Sequence, residues 1–448
     1  MKKLLVIQVA ALGHELIGRY PELWARLGLE FRPLEPVFPA VTCPVQASFR
    51  TGLPPERHGI RGNGFFDRAT RRTAFWEQAA AQIAVPERIW DGYRRRGGTV
   101  GILCWQQSLG EEVEMVLSPA PIHKHHGGMI QDCYSQPPGL YAELCRETGR
   151  TFNLMHYWGP LAGVKSTRWI ADATLAVLRR ADAPGLLLTY LPHLDYALQR
   201  FGPQDEKRTA RAVAEVVAEL EKVLAGAKAA GHEAVLFGDY AITPAAQVVF
   251  PNRALRDAGL LAVRTVRKMA YPDLYASRAF ALVDHQAAQV FVRNPQDLPA
   301  VRELLAALPG VAEVRETQNA ERRTQNGESP GVASAVSTMS TLSTDSARHA
   351  PDFELTAAPG AWFAYPWWTE KGEAPEYASH VDIHAKPGFD PCELLWGWPP
   401  PSVGQNPARI GGTHGRTDAP AAWASTTPLP CGLRTLTGLA AAVRDWLE

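Results

Sequence analysis

"FPAVTCPVQASFRTGLPPERHGIRGN", residues 38–63, sets a threonine and a cysteine against a proline, turns at Thr51–Gly52, and runs through His58–Gly59 to Asn63. The segment reads in two ways. It is a nucleophile loop with its own polar partners, or it is only a loop that turns twice at its glycines. The choice between them depends on whether metal ligands recur at suitable places elsewhere in the chain.

The surroundings fit an enzyme-like scaffold. Residues 3–9, 99–104 (TVGILC), 185–191 (GLLLTYL) and 234–239 (AVLFGD) are apolar runs of strand length, and helical patterns at 166–182 and 205–230 separate them. Apolar strands alternating with helices predict an α/β fold with a mostly parallel central sheet and helices on both faces. The chemistry-bearing segments follow strands, and in open α/β sheets the loops at the carboxyl ends of strands converge on ligands. "MKKLLVIQVAAL" resembles a signal peptide, but its apolar run is short, contains Gln8 and lacks a small-x-small cleavage site, so it reads as the buried first strand. No run approaches the roughly 18–20 apolar residues of a membrane span.

With 46 basic and 46 acidic residues there is no net field to attract a nucleic acid polymer or an acidic membrane. The six cysteines (43, 104, 133, 145, 392 and 431) form no CxxC pair, which suits a reducing, cytoplasmic setting. The 448 residues divide into a core at 1–249, a small α+β insert at 250–317, a Ser/Thr/Ala-rich insertion at 318–352 expected to be flexible, and the rest of the core at 353–448. The aromatic runs "AWFAYPWW" and "LLWGWPPP" are expected to fill cores or cover sheet edges.

The opening stretch resembles the nucleophile segment of the type I phosphodiesterase/nucleotide pyrophosphatase branch of the alkaline phosphatase superfamily. The resemblance rests on Thr42–Cys43–Pro44, Thr51–Gly52, Pro55, His58–Gly59–Ile60 and Asn63, and continues in blocks at 3–13, 185–203, 234–243 and 380–416. It implies an alkaline-phosphatase-like fold in which Thr42 is the nucleophile and Asn63 donates to a phosphoryl oxygen. It also implies two divalent ions held by six further side chains. Asp195, in "YLPHLDYALQRFGP", Asp239, in "LFGDYAIT", and His414, in "GGTHG", match ligand positions. Ala10, Gln199 and Tyr240 stand where the resemblance implies an Asp and two His.

Three of six ligands are therefore replaced, and neither inherited site reaches three good donors. His14 and Glu15 lie close enough in sequence to be considered as substitutes for Ala10. "VDIHAKPGFDP" offers Asp382, His384 and Asp390, with Asp-x-His on an extended segment pointing to one face. His384 is the expected third ligand beside Asp195 and His414, with Gln199 as an alternative. His193, Tyr240 and Asp382 are expected to contact substrate. His123, His125 and His126 form a further cluster that reads as a metal or phosphate site or as a solvated loop.

The expectation is at most one tightly held divalent ion, zinc-like, or none. The leading function is phosphoric-ester hydrolysis on a small phosphorylated substrate, with Thr42 as nucleophile and a reduced or rebuilt metal site. The alternatives are a non-catalytic relative that binds a phosphorylated ligand or acts as a scaffold, and a phosphoryl or other group transferase.

Overall fold

The computed structural model describes every residue except Gly127, 327–348, Ala385 and Cys431. In chain order its principal strands are β1 (Leu4–Val9), β2 (Arg32–Leu34), β3 (Val100–Leu103), β4 (Met115–Pro119), β5 (Cys133–Gln136) and β6 (Leu186–Leu191). These are followed by β7 (Glu233–Gly238), β8 (Ala279–Asp284), β9 (Ala287–Val292), β10 (Val311–Glu316), β11 (Phe353–Ala357) and β12 (Ala421–Ser425). The helices that matter most are α1 (Thr42–Thr51), α2 (Val164–Leu178), α3 (His193–Phe201), α4 (Glu206–Ala229), α5 (Leu298–Ala306) and α6 (Leu436–Leu447).

β1 is buried along its whole length, as a strand must be when both faces of its sheet are covered. Its side chains alternate between two cores. Leu5, Ile7 and Val9 pack with Trp169 and Val177 of α2 and with Val213, Val216 and Leu220 of α4. Leu4 and Val6 face the other way, onto Val45 and Phe49 of α1 and Leu439 and Val443 of α6. The eight-stranded sheet runs β2-β12-β7-β1-β6-β3-β4-β5. The five strands from β7 to β4 are parallel, with antiparallel partners at the edges. This is the mostly parallel, helix-covered sheet that the apolar runs predict.

A second, four-stranded antiparallel sheet, β8-β9-β11-β10, lies outside it. The predicted strand–helix–strand of the insert is present as β9, α5 and β10, but β11 lies between the two strands. Because β11 comes from residues 353–357, the second sheet extends beyond the expected insert and takes in the first segment assigned to the C-terminal core. The ends of the expected flexible insertion are also ordered. Gln318–Asn326 is helical, and buried Asp352 pairs with Arg68 at 2.7 Å and Arg323 at 2.6 Å. The intervening 327–348 lie outside the described residues. Trp362, Phe363, Tyr365 and Trp367 are buried, whereas Trp396 and Trp398 are exposed, so the tryptophans of the second run serve no core. No described helix is long and apolar enough to cross a membrane.

Candidate functional site

The opening loop builds the site by clamping α1. Thr42 is the first residue of that helix, which ends at Gly52 with φ +69; the single turn Pro55–His58 ends at Gly59 with φ +84. Both glycines occupy the left-handed region that closes a helix without a Cβ clash. His58 is fully buried, with Nε2 2.8 Å from the Ser48 hydroxyl and Nδ1 accepting from the Ile60 amide at 3.2 Å. Burial, with the nearby charge of Arg50, pushes its imidazole down to about 3. The histidine of the motif is thus a neutral clip that holds the loop to its helix. Asn63 closes the loop: its Oδ1 accepts from the Cys43 amide at 3.0 Å, and its own N and Nδ2 donate to Asp284 at 2.8 and 3.2 Å.

Thr42 and Asn63 open onto a cavity of about 510 Å³, walled also by Asp195, Gln199, Tyr240, His285 and His414, and by Trp76, Trp158 and Phe389. The polar groups come from the ends of different elements. Asp195 lies in the first turn of α3 after β6, and Tyr240 follows β7. His414 follows the short strand Gly412–Thr413, which pairs with Thr243–Pro244. The Thr42 hydroxyl faces the Tyr240 hydroxyl and favours its ionised form. Tyr240 in turn donates to Asp195 Oδ1 at 3.0 Å, and Gln199 Nε2 reaches both Asp195 oxygens at 2.8 and 2.7 Å.

His414 donates from Nδ1 to the Ala40 carbonyl at 2.8 Å, which leaves Nε2 as an unpartnered acceptor 3.9 Å from Asp195. Its ring stacks on Tyr240 at 3.5 Å with planes 3° apart, and packs tilted by 35° against His285 at 3.7 Å. Burial pushes Asp195 up to about 6, against the lowering effect of its Gln199 and Tyr240 bonds. Burial also holds the Tyr240 hydroxyl well above 10 and His414 well below the usual imidazole range.

Asp239 is fully buried behind this wall. It accepts from the Ala11 amide at 2.9 Å, Gln8 Nε2 at 3.0 Å and the Tyr240 amide at 3.1 Å. Burial, reinforced by the charge of Asp195, raises it to about 8. His193 turns to α4, with Nε2 2.8 Å from Glu215, and is absent from the cavity lining. His384 and Asp382 do line the cavity; His384 Nδ1 is held by the Phe75 carbonyl at 3.0 Å. Of the histidine cluster, exposed His123 reaches the lining, 6.1 Å from His384 between ring centres, while His125 and His126 do not. Asp390 is held by buried Lys386 at 2.8 Å, and His14 and Glu15 lie away from the cavity on a short helix.

A divalent ion does not fit these residues. Both oxygens of Asp195 already receive hydrogens from Gln199, one also from Tyr240, and both oxygens of Asp239 receive them from Gln8, Ala11 and Tyr240. A cation brought to either carboxylate would have to displace these hydrogens or share the few lone pairs they leave. Among the described residues no three His, Cys, Asp or Glu come together in a metal-holding group. The expected third ligand, His384, makes no such set with Asp195 and His414.

Three participants escaped the sequence reading. Gln8, in the middle of an apolar strand, supplies a donor to Asp239. Asp284 and His285 sit at the tip of the β8–β9 hairpin, with Asp284 Oδ1 2.9 Å from His285 Nδ1. Burial pushes Asp284 up to about 6 and His285 down to about 3, so at neutral pH the pair holds a carboxylate and a neutral ring. The available signal was an Asp-His dipeptide directly after the apolar run AFALV. It is the strand-end pattern sought at 239–240, and it lies in a segment read as a mere insert.

Comparison with known proteins identifies the family and the fold. The profile of the family described as type I phosphodiesterase / nucleotide pyrophosphatase matches residues 22–390. An uncharacterized pyrophosphatase/phosphodiesterase of Schizosaccharomyces pombe is 27% identical over 182 residues, 38% of this chain; the match spans 29% of the yeast protein's own length. Among solved structures, phosphonoacetate hydrolase from Sinorhizobium meliloti 1021 in complex with phosphonoformate is similar at TM-score 0.59 and 15% identity. Murine ectonucleotide pyrophosphatase/phosphodiesterase 5 is similar at TM-score 0.57 and 14% identity. Each of these two alignments covers 100% of this chain and 95% of the other, and at such identities the likeness is one of fold.

Proposed function

Because this chain belongs to the type I phosphodiesterase/nucleotide pyrophosphatase family, whose members generally depend on divalent metal, we propose that it is a phosphoric-ester hydrolase whose nucleophile is the Thr42 hydroxyl and whose proton acceptor is Asp195. The line of polar groups Thr42, Tyr240 and Asp195 at the cavity wall, with Tyr240 bonded to Asp195, carries this reading. Thr42 Oγ attacks phosphorus and the ester oxygen leaves. The threonine proton passes to Tyr240 Oη as Tyr240 gives its own to Asp195 Oδ1, so Asp195 ends the step as a carboxylic acid. Asp195, raised to about 6, is ionised at neutral pH yet close enough to 7 to accept a proton. Tyr240 is held too far above 10 to ionise by itself and serves only as a conduit. Asn63 keeps one amide hydrogen beyond the one given to Asp284, available to a phosphoryl oxygen.

The cavity also favours a class of substrate. Its described lining includes Glu77, Asp195 and Asp382 and no Lys or Arg. A phosphomonoester brings two negative charges to that wall and a phosphodiester one, so the diester is favoured. Trp76 and Trp158, each packed against Phe389, offer apolar surface to an aromatic ester group. The reducing, cytoplasmic setting remains part of this proposal, supported by the five free cysteines among the described residues. Transfer to an acceptor other than water would share the first step unchanged.

The same absence of a basic lining and of a metal-holding group among the described residues favours a second reading, a protein that binds its ligand without turning it over. Turnover of bis(4-nitrophenyl) phosphate in the presence of a chelator separates the two. The wild type is expected to release nitrophenol, and Thr42→Ala to lose at least about 1,000-fold. A wild type no faster than Thr42→Ala, both in chelator and after a divalent ion is added back, would remove the hydrolase reading in favour of the binding one.

A further inference from the structure

The aromatic side of the cavity is assembled from three separate stretches of chain. Trp76 follows the short strand Arg72–Phe75, Trp158 follows the single turn Leu154–His156, and Phe389 lies just before the turn Pro391–Leu394. Their ring centres lie 6.2 Å apart for Trp76 and Phe389 and 5.4 Å apart for Trp158 and Phe389. Trp76 has φ +56, an outlier for so bulky a residue. The surrounding structure imposes it: the Trp76 amide donates to the Asn63 carbonyl at 2.9 Å, and its carbonyl accepts from Gln78 Nε2 at 2.9 Å. Strain held this firmly is characteristic of functional positions.

Behind the Trp158 ring lies a buried ionic group that the relay does not use. The Glu393 carboxylate is 1% exposed, and its Oε2 accepts from Trp158 Nε1 at 2.5 Å. Its Oε1 accepts from the Asp382 amide at 2.8 Å and from Lys386 Nζ at 2.7 Å, and Lys386 also reaches Asp390 at 2.8 Å. Trp158 and Asp382 both line the cavity, so one carboxylate ties two stretches of its wall together. Arg200 of α3 fixes the backbone of the Trp158 loop, donating to the carbonyls of Gly159 at 3.1 Å and Ala162 at 2.8 Å. The indole has a single donor, and it is given to Glu393. A buried ion pair contributes little net stability, because desolvation of its charges offsets their attraction. What it supplies here is orientation.

We infer that Glu393 is a positioning residue that makes the cavity selective for aromatic esters: it aims the Trp158 indole and holds the Asp382 segment, so that a fixed aromatic wall meets the ester group. The inference deepens the hydrolase reading above and takes from it only the ligand class, a phosphodiester with an aromatic ester group. All three partners of Glu393 are donors. A glutamine in its place has one acceptor oxygen and one NH2, so it must turn N–H toward N–H on one side or the other. Glu393→Gln thus breaks the brace with almost no change in volume. Trp158→Phe deletes the same bond from the ring side and leaves Glu393 its contacts with Lys386 and Asp382.

The test is binding to the Thr42→Ala protein, where turnover does not interfere, of bis(4-nitrophenyl) phosphate and of dimethyl phosphate, a diester of the same charge with no ring. This parent is expected to favour the aryl diester. Adding Glu393→Gln or Trp158→Phe should each weaken the aryl diester by about tenfold, the scale of one well-placed aromatic contact, and dimethyl phosphate by less than about twofold. The two losses should not multiply: with Trp158→Phe present, Glu393→Gln should cost less than about twofold more, since no indole N–H remains to aim. In the protein with Thr42 intact, Glu393→Gln should raise KM for the aryl diester about tenfold and leave kcat within about threefold. Losses that multiply, equal weakening of both diesters, or a parent with no preference for the ring would overturn the positioning role. If Glu393→Gln does not fold, a Trp158→Phe protein that binds like the parent would overturn it as well. A wild type that releases no nitrophenol removes the hydrolase reading alone, because the binding comparison still decides this one.

Discussion

Asp195 and Asp239 leave the same edge of the same sheet, after the two strands that flank β1, and both are buried. Their neighbours differ in kind. Asp195 is bonded by Gln199 and Tyr240, which themselves reach the cavity, and Tyr240 also faces Thr42. Asp239 is sealed by Gln8 and by the backbone amides of Ala11 and Tyr240, behind the cavity wall. The side chains around them thus distinguish two carboxyl groups that leave equivalent strand ends. One adjoins Thr42, the proposed nucleophile, through Tyr240, and the other is a buried acid raised to about 8. Position relative to the strand end does not decide a carboxylate's chemistry; the donors that fill its lone pairs do.

The comparison breaks most visibly at Asp195. Asp195→Asn keeps the shape, exchanges one acceptor oxygen for an NH2 that the unpartnered Gln199 Oε1 can receive after an amide flip, and cannot take up the threonine proton. Turnover of the aryl phosphodiester should fall by about 100-fold or more, with little change in melting temperature. Retention of turnover would mean that the threonine proton leaves by another route. Asp239→Asn should act on stability instead, with turnover within about threefold of wild type.

The sign of that stability effect follows from the raised acid. The folded state keeps the Asp239 proton at pH values where the unfolded chain has lost it, so this contribution is fully present below about 3.8 and is lost as pH rises through about 8. The melting temperature should therefore drop less between pH 5 and pH 9 in Asp239→Asn than in wild type. An equal drop in both proteins would show that Asp239 does not carry the titration.

Much of this arrangement was legible in the residue pattern. The sheet was readable because β1, β6 and β7 are continuous apolar runs, and continuity signals burial on both faces. Thr42, Asn63, Asp195 and His414 were found as individual letters in order, yet their partnerships were not. Nothing local to Tyr240 announces a hydroxyl that touches both Thr42 and Asp195, because that contact joins α1, α3 and the end of β7. His193 looked like a site residue from its place beside Asp195, but it turns onto α4 toward Glu215. His285 was missed for the opposite reason. Its hairpin belongs to the second sheet, and only tertiary packing brings it onto His414. The extent of that sheet was also hidden, since β11 joins it from beyond residues 318–352.

The relay from Thr42 through Tyr240 to Asp195 is tested most directly by comparing wild type with Tyr240→Phe in excess chelator, both protein samples having been checked for metal by mass spectrometry. The phenylalanine ring preserves the stack on His414 and removes only the hydroxyl that joins the two residues. The expected result is metal-free wild type with turnover indifferent to chelator, and a loss of about 100-fold or more in Tyr240→Phe. Turnover in Tyr240→Phe equal to wild type, or wild-type turnover abolished by chelator and restored by a divalent ion, would contradict the relay.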